Sequence, residues 1–137
     1  MPVTVSMGAA DQVIIHAEIS IIPIGSTTII PNEQRKEGEK TKPTIATSMS
    51  REIAVAFDAI SQIKDVKAML TSMGTQIESD NIQNVLKAVE AAHQAVKEIG
   101  VKRIISTIRI DERLDKVYSL EDRVKSVKEK LPKKWQT

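Results

Sequence analysis

Regular structure first shows in the run Val13-Ile-Ile-His-Ala-Glu-Ile-Ser-Ile-Ile-Pro-Ile24. It is apolar at both alternating sets of positions except at His16, Glu18 and Ser20. Those three share one parity and therefore one face. The pattern predicts a strand over 13–22, ended by Pro23 and Gly25, and near-continuous Ile/Val runs mark strands covered on both sides. From Ser48 the period changes. Ile53, Ala56, Phe57, Ile60 and Ile63 recur at three- and four-residue steps, as the buried stripe of a helix does. Ser48 or Ser50 is placed to cap its free amides, with Glu52 in the first turn. Residues 66–70 and 75–78 read as short strands joined around Ser72-Met73-Gly74. A second helix is expected over 81–99, with the stripe Ile82, Val85, Leu86, Val89, Ala92, His93, Val96 and Ile99. Asp80 or Asn81 would cap it, and Gly100 suits its left-handed terminus. A fourth strand follows over 102–110. A last helix starts at Ser119, where Ser119 and Asp122 approximate a capping box, and presents Leu120, Val124, Val127 and Leu131 on one side.

Strand, helix, strand, strand, helix, strand, then an added helix is the split βαβ order of a ferredoxin-like α/β (α+β) sandwich. Right-handed crossovers place the two main helices on one face of a four-stranded antiparallel sheet. Its other face then lacks internal cover, although the first and fourth strands are rich in isoleucine on both sides. An apolar open face implies a partner surface. A second copy's sheet, aided by the last helix, is the expected cover, giving a homodimer or a dimer of dimers (a tetramer). A single domain over 13–131 is expected, with a flexible N-terminal extension at 1–12 and a tail at 132–137. The stretch 31–43 is dense in charge, Pro and Gly without apolar repeat, which predicts a long loop.

Composition narrows the class. The chain has 137 residues, 41% hydrophobic and 28% charged, with a net charge of only +2. That balance gives little reason to expect a polyanionic partner. There are no cysteines, which excludes disulfides, thiolate nucleophiles and Cys-ligated metals. No basic segment followed by an apolar core opens the chain, and no stretch nears the roughly 18 apolar residues of a membrane span. A soluble cytoplasmic protein without membrane association is the expectation.

Two roles stay open for Glu18: an ion pair with a basic residue such as Arg109 across the sheet, or an acceptor for a cationic or amino-bearing ligand. A buried carboxylate needs one or the other. Glu78, at the end of a neighbouring strand, would make a carboxylate pair for acid–base chemistry if both faced one cleft. Its place beside Ser79-Asp80 favours solvation or capping. His93 lies on an apolar helix stripe and reads as a core histidine; His16 could order Glu18 or sit at a subunit contact. Two such histidines make no metal site. Hydroxyls at Ser26-Thr27-Thr28 and Ser48-Met49-Ser50 flank the long loop, the second group at a helix start, where capping is the simpler role and an anion a second one. Nucleic acid is not an expected partner, because the sheet strands offer no aromatic platform for base stacking.

Several segments together resemble the small thiamine-binding proteins, long catalogued as an uncharacterised family. They are Ala17-Glu-Ile-Ser-Ile-Ile-Pro-Ile-Gly25, Met73-Gly-Thr-Gln-Ile-Glu78, Ala92-His93, Gly100-Val-Lys-Arg103 and Ile108-Arg-Ile-Asp-Glu-Arg-Leu-Asp-Lys116, with the helix opening at Ser48-Met49-Ser50. The resemblance covers about 13–131, apart from an apparent insertion at 29–45. It implies a ferredoxin-like fold assembled into dimers and tetramers through its sheets. It also implies a pocket for thiamine or its aminopyrimidine part, with no catalysis and no required cofactor. Carried onto this chain, Glu18 is the acceptor for the ligand's amino or ring-nitrogen group. Ser20, Ser48, Ser50, Met73, Gly74 and Thr75 are the other candidate ligand contacts. An Asp111, Arg113 and Asp115 segment reads as a salt-bridged turn. The alternative is a structural or regulatory oligomer without a working ligand site.

Overall fold

A computed structural model of the chain describes residues 14–25, 27–28, 44–45 and 48–135. The proposed extension at 1–12 and most of the charged insertion lie outside these residues. Four strands, β1 (Ile15–Ile24), β4 (Lys67–Leu70), β5 (Thr75–Ser79) and β6 (Arg103–Glu112), form one sheet in the order β4-β5-β1-β6, every neighbouring pair antiparallel. A two-stranded pair, β2 (Thr27–Thr28) with β3 (Thr44–Ile45), brackets the insertion and was not foreseen from the pattern. The helices are α1 (Ser50–Ser61), α2 (Ile82–Glu98) and α3 (Leu120–Lys128), followed by a short 3-10 turn at Lys133–Trp135. The ferredoxin-like α+β arrangement is therefore present, with its extra helix. Among the described residues no helix is long and apolar enough to cross a membrane.

Alternation along the central strand builds the core. Ile15, Ala17, Ile19 and Ile21 are buried against Ile77 of β5, Ala56 and Ile60 of α1, and Val85, Ala88, Ala92 and Val96 of α2. Alanines four apart on α2 let that helix lie close to its neighbours. Asn81 caps α2 by accepting the Gln83 N–H, and Gly100 ends it at a φ of +94°. β1 continues two residues beyond the expected stop, through Pro23. It pairs with β5 only over Ile15–Ile19, so beyond that point it has a partner on one side alone, the setting in which a strand tolerates proline.

α1 departs from expectation at its start. Its cap position is Met49, without a side-chain cap, and Ser48 Oγ instead accepts the Ser50 N–H at 3.3 Å. Glu52 stands in the first turn as expected, and is buried because it shares the stripe of Ala56 and Ile60. His93 is satisfied as a core histidine should be, with Nε2 2.8 Å from Ser106 Oγ.

The second sheet face is not left wholly to a partner. α3 of the same chain crosses one end of it. Leu120 N donates to Glu78 Oε2 at 2.9 Å, Lys67 Nζ donates to Glu121 Oε1 at 2.8 Å, and Arg123 pairs with Asp111. The Ser119–Asp122 capping box forms as expected. Yet no α3 residue is fully buried, so polar contacts rather than apolar burial anchor this helix. The weight of stability lies in the other layer. Ile77→Ala should lower the unfolding free energy by about 2–5 kcal/mol. In a urea titration this would appear as a lower midpoint at an unchanged slope.

Candidate ligand site

Odd positions of β1 enter the core, so His16, Glu18 and Ser20 project toward the α3 side. Register sets Gln76 of β5 and Arg109 of β6 on either side of Glu18. Gln76 Nε2 donates to Glu18 Oε2 at 3.4 Å, and Arg109 Nη2 stands 3.9 Å from Glu18 Oε1. Both contacts are long. The Arg109 side chain is 81% exposed and that of Glu18 35%, and an exposed pair of this kind contributes about 0–1 kcal/mol. Glu18 thus keeps acceptor capacity on a carboxylate that can take several donors. Above it opens a cleft of about 430 Å³, floored by His16, Glu18, Gln76 and Arg109 and walled by Leu120 and Val124 of α3.

His16 is the buried hinge of this region. Arg123 Nε donates to His16 Nδ1 at 2.7 Å, so the neutral ring carries its proton on Nε2. That nitrogen is buried with no hydrogen-bond partner, and Glu78 Oε2 lies 3.7 Å from it. The Tyr118 ring meets His16 edge-on with centroids 4.8 Å apart, and the Arg113 and Arg123 guanidiniums lie 5.2 and 4.9 Å from the Tyr118 centroid. Burial holds the imidazole pKa below its ordinary value, Arg123 pushes the same way, and Glu78 opposes them. His16 therefore serves α3 docking and does not order Glu18. Glu78 is committed to Leu120 N, with Lys67 Nζ 3.7 Å away, and it does not line the Glu18 cleft. An acid–base pair of Glu18 and Glu78 has no common cleft to work in.

The other expected contacts are distributed. Gly74 is beside Glu18: a Cβ there would stand 3.1 Å from Ile19 O and 3.4 Å from Glu18 Cγ, so a larger residue would push the hairpin and β1 apart by a few tenths of an ångström. Ser20 shares the face of Glu18, half-buried. Thr75 pairs with Ile19 and is buried on the helix side of the sheet, opposite to Glu18. Ser48 and Ser50 are exposed at the start of α1 with hydroxyls 2.9 Å apart, again in the helix layer. Met73 is 86% exposed at the hairpin tip. The structure thus places Gly74 and Ser20 near Glu18, while strand alternation turns Thr75 to the other side of the sheet and the two α1 serines stand in the helix layer. Arg113 and Asp115 form the expected salt-bridged turn, at 2.6 and 3.0 Å, while Asp111 turns instead to Arg123.

A family model described as thiamine-binding protein matches residues 40–128. The chain belongs to that family. Over 117 residues it is 34% identical to the UPF0045 protein of Methanothermobacter thermautotrophicus, spanning 85% of this chain and 99% of the relative. The crystal structure of a hypothetical protein from Methanocaldococcus jannaschii superposes with a TM-score of 0.64 at 29% identity, covering 83% of this chain and 95% of that one. A structure from Thermotoga maritima, described as a candidate thiamine biosynthesis/salvage protein, matches at a TM-score of 0.57 and 14% identity over 83% of this chain and 98% of that one; at that identity it speaks for the fold alone. None of these relatives carries an enzymatic name. The model match begins after β1 and so excludes Glu18.

Sequence reasoning overlooked Gln76, Arg123 and Val124 as cleft residues. The parity of β5 was a usable signal for Gln76, since Gln76 and Glu78 must share the face of Glu18. The His16 environment carries a test. Its folded pKa is depressed, so the unfolded chain binds more protons in the window between that value and 6.5. Stability is complete above pH 6.5 and falls as pH drops through that window. In His16→Gln the slope just below pH 6.5 should flatten, as measured by urea midpoints across pH; an unchanged slope would assign the effect elsewhere.

Proposed function

We propose that this chain binds thiamine or a related aminopyrimidine without catalysis, acting as a homo-oligomer. One observation carries the reading: Glu18 sits at the floor of an open cleft, held only by contacts of 3.4 and 3.9 Å. A flat heteroaromatic cation suits a cleft of a few hundred cubic ångströms with few convergent polar groups. Glu18 would accept from the exocyclic amine and offset ring charge, and the Gln76 amide beside it can donate to a ring nitrogen. Leu120 and Val124 would cover one ring face. Membership of the thiamine-binding protein family points the same way. Had Glu18 been locked to Arg109 with no cavity, an oligomer without a working site would be the better reading.

Calorimetry should show thiamine binding to the wild-type chain, weakened roughly 10- to 100-fold in Glu18→Gln, as expected for loss of a charge-assisted hydrogen bond. No heat from the wild type at millimolar thiamine would end the proposal.

Self-association rests on exposed apolar surface of the same face. Ile22 is 44% exposed and Ile105 41%, and the two stand opposite each other in register. Val124 and Val127 of α3 are 55% and 60% exposed. Their lateral union with a second copy would remove this surface from water. Sedimentation should therefore find a dimer or larger species in wild type and a shift toward monomer in Ile105→Lys.

A further inference from the structure

A second groove adjoins the Glu18 cleft. It measures about 390 Å³ and is lined by Met69 of β4, Gln76 of β5, and Leu120, Val124, Lys125 and Lys128 of α3. Gln76, Leu120 and Val124 line both hollows, so the two meet along those side chains. Their charges differ. Glu18 stands in the first, and Lys125 and Lys128, three residues apart and thus on one helical face, stand in the second. Glu121 also borders the second groove, but Lys67 Nζ holds its carboxylate at 2.8 Å. Asp122 is turned to the Ser119 N–H at 2.9 Å. Among the described residues neither Lys125 nor Lys128 lies within ion-pair distance of a carboxylate.

Resting on the Glu18 reading above, we propose that the ligand is a phosphate ester of the aminopyrimidine compound, with its ring at Glu18 and its phosphate at Lys125 and Lys128. Lysine ammonium groups bind phosphate as mobile point charges. From Leu120 to Lys128 the helix advances about 12 Å, a separation suited to a ring system with a phosphorylated side arm. Val124, between the two lysine-bearing and acid-bearing hollows, supplies an apolar contact for the middle of such a molecule. Free thiamine would fill only the first hollow.

The test is calorimetry on the full chain with thiamine, thiamine monophosphate and thiamine diphosphate, repeated on the Lys125→Ala/Lys128→Ala double variant. Both lysines are exposed, so the variant should fold, which circular dichroism checks. At low salt the diphosphate should bind at least about 10-fold more tightly than thiamine. This advantage should collapse toward unity in the double variant and in 0.5 M salt, where screening is strong, while thiamine affinity stays within about twofold. Equal affinity for thiamine and its esters, or a preference that survives the lysine substitutions, overturns the phosphate assignment and leaves the Glu18 site standing. Failure of all three ligands to bind overturns both.

Discussion

The two-residue period of β1 is the constraint from which the rest follows. Ile15, Ala17, Ile19 and Ile21 must enter the core because α1 and α2 occupy that side. Geometry then leaves His16, Glu18 and Ser20 no choice but the opposite face. A one-residue slip in pairing would bury Glu18 among aliphatic side chains and expose four core residues. The same apolar packing that stabilises the sandwich therefore fixes which face Glu18 occupies.

On that opposite face, two acidic side chains of neighbouring strands are put to different uses. Glu78 faces the first amide of α3, the positive end of a helix dipole, where a carboxylate is favoured, and it also has Lys67 within reach. Glu18 lies farther along the sheet, where its neighbours are an amide and a solvated guanidinium at long range. One acid is consumed by structure and the other is left with spare acceptor sites. The difference comes from where α3 starts, not from residue type, and it explains why a carboxylate pair on one sheet face need not be a catalytic pair.

Much of this was legible beforehand because it depends on local periodicity. Strand order, both main helices, the Asn81 and Gly100 termini and the Ser119–Asp122 box all follow from patterns within a few residues. The site was legible only in part. Glu18 announced itself as an acid in an apolar run, and Arg109 could be named as its cross-strand neighbour. Thr75, Ser48 and Ser50 were attached to it by resemblance, whereas strand alternation and the helix layer place them on the other side of the sheet. The last helix was expected to share in covering the sheet, but the contacts that seat it were not legible, because Arg123 meets His16 and Asp111 from more than 10 residues away in sequence, invisible to any periodic pattern.

α3 also joins the cleft to the stability of the fold. A helix with no buried residue gains little from the hydrophobic effect, so its position depends on a few charged contacts around His16. Leu120 and Val124 wall the cleft from that same helix. A molecule lodged against them adds apolar contact that the free chain lacks, and anything that binds only the docked arrangement must favour docking by mass action. Protonation of His16 acts in the opposite sense, since a proton on Nδ1 replaces the acceptor that Arg123 uses with a second donor. A molecule in the cleft and a proton on His16 would therefore both bear on one element, the seating of α3, because His16 and Arg123 line that cleft as well as holding the helix.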